Sequence, residues 1–157
     1  MSEAPAAVEV SLSAEEAEAV LEATAAYAAV VPPDRREPYD GLARAAAERL
    51  VPPERLDMLE RICVLSLETG KARQLGRAEA ERLLNTVYRR TPGGRERTNQ
   101  AADVNRVLSQ LRGRALKSAR ITSRLPGRYQ LSLVVEGFEL SIALEPEGLE
   151  VSSLQTG

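Results

Sequence analysis

Apolar residues recur at helical spacing through roughly the first 112 positions, and from Lys117 onward they alternate with polar ones. Ser13-Ala14-Glu15-Glu16 has the form of a capping box and opens a helix to about Val31, with Ala17, Val20, Leu21, Ala28 and Val31 on one side. Thr24 interrupts that stripe with a small polar side chain. Pro32-Pro33 ends the helix, and a second helix runs from about Pro38 to Leu50 with Leu42, Ala46 and Leu50 in line. After Pro52-Pro53 a third helix extends to Thr69 and closes on Gly70. Its run Leu56, Leu59, Ile62, Cys63, Val64, Leu65, Leu67 is apolar over most of its circumference, which predicts the central, most buried helix. A fourth helix spans Arg77 to about Arg90 on Ala80, Leu83, Leu84 and Val87. Thr91-Pro92-Gly93-Gly94 reads as a loop, and Thr98 as the cap of a fifth helix ending near Arg112-Gly113, with Ala101, Val104, Leu108 and Leu111 as its stripe. Residues 1–7 are small, without periodicity, and predict a frayed end.

The switch to alternation predicts a sheet. Ala119, Ile121 and Ser123 alternate with Arg120, Thr122 and Arg124, and Pro126-Gly127 is placed as a type II turn requires. Tyr129, Leu131, Leu133 and Val135 follow, then the turn Glu136-Gly137, then Phe138, Leu140, Ile142 and Leu144. Pro146-Glu147-Gly148 leads to a fourth strand at Leu149–Leu154. The expected fold class is α+β: about five helices followed by a C-terminal antiparallel meander with one covered and one wet face. The expected division is an acidic helical region, 1–50, and a basic domain, 51–157.

Charge sharpens this picture. From Lys71 to Arg128 the chain carries 15 of its 21 basic residues and only four acidic ones, a stretch of net +11, against −13 for the remainder. Such a block faces either a polyanion or the protein's own glutamates. The 98–112 helix exposes Asn99, Gln100, Asn105, Arg106, Ser109, Gln110 and Arg112. Amides can bond adenine edges and arginine can bond guanine in a major groove, whereas an ordinary wet helix face favours Glu and Lys. Arg120, Arg124 and Arg128 flank the Pro126-Gly127 tip, and Arg89, Arg90, Arg95 and Arg97 sit where sequence-blind phosphate contacts form. A charged strand face that discourages aggregation would carry the same arginines.

Val104-Asn105-Arg106-Val107-Leu108-Ser109-Gln110-Leu111-Arg112 resembles the end of the recognition helix in bacterial winged helix-turn-helix domains. Gly127-Arg128-Tyr129-Gln130-Leu131-Ser132, followed by Gly137, is similar to the return strand of their wing. The resemblance covers about residues 54–140 and implies a winged-helix-like DNA-binding domain. Two features depart from the pattern: the loop Thr91–Arg97 is longer than a tight helix-turn-helix turn, and the sheet has four strands where a wing has two.

Other classes find little support. Without histidine there is no Ser-His-Asp or Cys-His arrangement and no His-ligated metal, and Gly93-Gly94 lacks the Lys-Ser/Thr that follows in a phosphate-binding loop. The expectation is therefore no enzyme, no cofactor and no metal. Cys63, in the most apolar helix, reads as a small hydrophobe. Aromatics are 3% of the chain, with only Tyr88 and Tyr129 in the basic stretch, which favours double-stranded DNA over single strands that stack on aromatic rings. The N-terminus lacks the pattern of a secretory signal, no apolar run spans a bilayer, and one cysteine forms no internal disulfide, so a cytoplasmic location without membrane contact is expected. The two N-terminal helices cannot form a core alone and either pack on the basic domain or pair with a second copy, a homodimer through the N-terminal helices being the favoured expectation. The function expected is duplex DNA binding in regulation or DNA maintenance. A non-enzymatic adaptor whose basic segment binds an acidic protein is the alternative.

Overall fold

The computed structural model describes residues 8–75 and 79–157. The end expected to fray, 1–7, and the first residue of the fourth expected helix, Arg77, lie outside them. Five helices precede a four-stranded antiparallel sheet, so the α+β expectation holds. The chain divides into two compact units, Met1–Arg95 and Glu96–Gly157, and not at residue 50.

The first unit contains β1 (Val10–Ser11), α1 (Ala14–Ala28), α2 (Glu37–Ala47), β2 (Leu50–Val51), α3 (Leu56–Glu68) and α4 (Ala80–Tyr88). The capping box forms as read: the Glu16 amide donates to Ser13 Oγ at 3.1 Å, and Glu16 Oε2 accepts from the Ser13 amide at 2.9 Å. Thr24 is tolerated on the buried side of α1 because its hydroxyl donates to the Val20 carbonyl at 2.6 Å. α2 stops at Ala47, short of Leu50, because Arg49 takes a left-handed conformation (φ 59°) and Leu50–Val51 extend to pair with β1. Leu50 is then exposed and absent from the apolar stripe assigned to it. This two-residue pairing, Val10 with Val51, has no counterpart in the sequence pattern.

One core joins all four helices: Ala17, Val20, Leu42, Ala46, Leu59, Ile62, Leu84 and Val87 are buried together. The division at 50 fails for this reason, since the apolar faces of α1 and α2 are spent on α3 and α4. Gly70 (φ 70°) follows α3 as expected. The helix is nevertheless one-sided, with Val64, Leu65 and Leu67 only partly buried. Cys63 is fully buried, and burial pushes its thiol up to about 12, so the thiolate is suppressed. A thiol reagent such as dithionitrobenzoate should leave the native protein unlabelled at pH 8 and react fully after denaturation. Because the folded value lies above that of the unfolded thiol, this group's contribution to stability is intact below about 9 and is lost as pH rises toward about 12.

α5 (Pro92–Ser109) begins well before the Thr98 cap that the sequence pattern predicts. The expected loop Thr91–Arg97 is its first turns, and Thr98 lies inside it. Thr91 is the residue before the helix: its Oγ1 accepts from the Gly94 amide at 3.2 Å, with Pro92 in the first turn where its missing N–H costs nothing. Glu60 of α3 adds a carboxylate that accepts from the Gly93 amide at 3.0 Å, a favourable charge at a helix start. The glycines serve close approach here, not a loop. A Cβ on Gly94 would lie 1.9 Å from the Tyr88 carbonyl oxygen. The α4–α5 connection is thus three residues, Arg89–Thr91. The division between units falls within α5.

The second unit sets the rest of α5 beside β3 (Leu116–Leu125), β4 (Arg128–Val135), β5 (Phe138–Glu145) and β6 (Gly148–Thr156), in that order across the sheet. Gly127 (φ 75°) and Gly137 (φ 81°) make the turns, as their left-handed conformation requires. Val104, Val107 and Leu108 of α5, with Leu111 in the turn that follows it, pack with Leu140, Ile142, Leu149 and Val151. The cover is partial. Along the cross-strand row Val151, Ile142, Leu131, Ile121, burial is deepest at Ile142 (2% exposed) and lost at Ile121 (63%). β3, an edge strand whose one strand neighbour among the described residues is β4, is exposed at all ten residues.

Candidate nucleic-acid interface

The residues expected to contact DNA separate by unit and by whether the protein already uses them. In the first unit, Arg90 is structural. Its guanidinium donates to Glu16 Oε2 at 2.5 Å and to the Ser11 carbonyl at 2.6 Å, tying α4's end to the capping box. With Glu16 largely buried, this pair is a fixed part of the unit and leaves no free charge for phosphate. Arg89 and Arg95 are exposed, without an ion pair or side-chain hydrogen bond among the described residues.

In the second unit, four expected contacts are engaged. Arg128 reaches Glu145 at 2.7 Å and Glu147 at 2.8 Å, so the hairpin-tip cation is neutralised by two of the unit's own carboxylates. Arg97 donates to the Pro146 carbonyl at 3.1 Å. Gln100 accepts from the Leu149 amide at 3.3 Å, which ties the supposed base-reading face to β6. Arg106 pairs with Asp103 at 3.0 Å, both exposed, and the two line a cavity of about 450 Å³ with Gln100, Val104 and Glu150. Asn105, Gln110 and Arg112 are exposed, with no side-chain partner among the described residues.

The cations left over gather on β3. Between Arg112 and Arg124 the sequence has five basic residues and no acidic one. Arg114 is held by the Glu136 carbonyl at 3.0 Å and lies 4.1 Å from the Phe138 ring centre. Arg112, Lys117, Arg120 and Arg124 are exposed, and none has an ion pair or side-chain hydrogen bond among the described residues. Arg120 shares a face with Thr122, Gln130, Ser132 and Ser141, small polar residues that leave it unobstructed. Lys117 is not among the contacts expected from the sequence. The signal was there, a lysine opening a strand with two further cations, but only the strand's edge position gives it weight.

No group of three or more acidic or cysteine side chains is arranged to hold a metal ion among the described residues, and no described helix is long and apolar enough to cross a membrane. No protein-family model, curated protein or solved structure matches the chain.

Proposed function

We propose that this is a duplex DNA-binding protein whose principal contact is the basic edge strand β3, with Arg112 at its approach and the outer face of α5 beside it. The observation that carries this reading is the contrast between spent and unspent cations. Arg90 and Arg128 are held by the protein's own carboxylates and Arg97 and Arg106 each make one exposed contact, whereas Lys117, Arg120 and Arg124 stand on a wholly exposed strand with no ion pair or side-chain hydrogen bond among the described residues. From Lys117 to Arg124 an extended strand reaches about 23 Å, a span over which a duplex presents many phosphates. Phosphate contacts of this kind position a protein without reading sequence. Asn105 on α5 and Gln110 just past its end are the side chains available for base edges.

The three-residue turn between α4 and α5 supports the helix-turn-helix resemblance. The burial of α5's stripe on a four-stranded sheet favours β3 over α5 as the primary contact. The homodimer through the N-terminal helices loses its motive, since their apolar faces are buried within the first unit. The adaptor reading, in which an acidic protein segment lies on β3, rests on the same unpaired cations. A salt titration separates the two. For duplex binding, log affinity should fall linearly with log salt at about −0.9 per phosphate contact, giving a slope near −3 to −4 when Arg112, Lys117, Arg120 and Arg124 meet phosphates. Absence of duplex binding by the folded protein at low salt would leave the adaptor reading standing.

A further inference from the structure

The row Val151, Ile142, Leu131, Ile121 runs across the apolar face of the sheet and ends in the open, at an edge strand with one side of its backbone unbonded. We infer that β3 pairs antiparallel with β3 of a second copy, about a two-fold axis at Ile121, to make a continuous eight-stranded sheet.

The open end of the apolar row favours a copy that presents the same row, and charge selects the register. β3 alternates regularly from Ser118 to Ser123, with Ala119, Ile121 and Ser123 on the apolar face and Ser118, Arg120 and Thr122 on the other. With the axis at Ile121, each Arg120 faces Thr122 of the other copy, Ala119 faces Ser123, and Ile121 faces itself. Moving the axis one residue toward the N-terminus sets Arg120 against Arg120. Moving it one residue the other way sets Arg120 against Arg124 twice. Like charges directly opposite are destabilising, so the Ile121 register is the one of these three that avoids them. It also extends the row to Leu131, Ile121, Ile121, Leu131, covering the most exposed apolar side chain on that face. The free cations of two copies then lie side by side on the two central strands of that sheet. The pairing itself does not rest on the DNA reading, because it is measured without nucleic acid.

Two cationic strands repel at long range, and salt screens that repulsion. Dimerisation should therefore strengthen with salt, the opposite sign to duplex binding. Sedimentation of the full chain should show a reversible monomer–dimer equilibrium that shifts toward dimer as salt rises. Ile121→Lys should return the mass to monomer with an unchanged circular dichroism spectrum. In this register position 121 faces itself at about 4.5–5.5 Å between Cα atoms, within the range a disulfide bridges. Ile121→Cys should then oxidise to a covalent dimer, while Arg124→Cys should not, and the buried Cys63 should stay out of the reaction. A monomeric mass throughout, a dimer that Ile121→Lys leaves intact, or equal cross-linking at 121 and 124 would overturn the pairing. Masses that grow beyond dimer would also overturn it, pointing to head-to-tail joining of β3 with β6.

Discussion

Ile62→Ala should lower the unfolding free energy by about 2–5 kcal/mol, read by urea denaturation followed through the helical circular dichroism signal. Ile62 is completely buried and sits on the side of α3 that faces the core shared with α1, α2 and α4. The loss combines the transfer of the removed methylene and methyl groups with the cavity left behind. Leu59→Ala, equally buried one turn earlier, should behave alike. Val64→Ala, on the partly exposed side of the same helix, should cost much less. A change below about 1 kcal/mol for Ile62→Ala would mean that α3 does not centre the first unit.

Much of this architecture was written in local pattern. The Ser13 capping box, the Pro32-Pro33 break, Gly70 after α3, the change of period near Lys117 and the turn glycines each act over a few residues, and each appears where the sequence puts it. The failures share a cause in long-range contact. Gly93-Gly94 has the composition of a loop. It becomes helix because Thr91 and the distant Glu60 satisfy its amides, and because only glycine lets α5 start against the Tyr88 carbonyl. The β1–β2 pairing joins residues 41 positions apart, which no local alternation reveals.

The candidate site was less legible than the fold, for the same reason. A count of arginines records charge, not whether the charge is free. Arg90 finds Glu16 across 74 positions, and Arg128 finds Glu145 and Glu147 on the far side of a hairpin. Conversely, alternation placed Arg120 and Arg124 on a strand but gave no sheet order, so nothing marked β3 as an edge or Lys117 as part of its cationic run. The net +11 of the 71–128 stretch is therefore a starting point whose useful remainder is the handful of cations that the fold leaves unpaired.

Removing that remainder should have the largest effect on binding. At about 0.1 M salt each phosphate contact is worth close to a factor of 8, so losing three contacts should weaken duplex binding by on the order of a hundredfold or more. The residues are exposed, so stability should change little. Net charge alone could produce part of such a loss, and a charge-matched control separates position from total charge. Arg35, Arg44 and Arg61 are exposed arginines outside the basic stretch, and replacing them removes the same three charges. The decisive measurement is fluorescence anisotropy of a short labelled duplex titrated with wild type, with Lys117→Ala/Arg120→Ala/Arg124→Ala, and with Arg35→Ala/Arg44→Ala/Arg61→Ala at one salt concentration. Duplex binding through β3 predicts a loss of roughly a hundredfold for the β3 variant, with a salt slope shallower by about three contacts, and near wild-type binding for the control. Equal losses in both variants, or undiminished binding by the β3 variant, would contradict it.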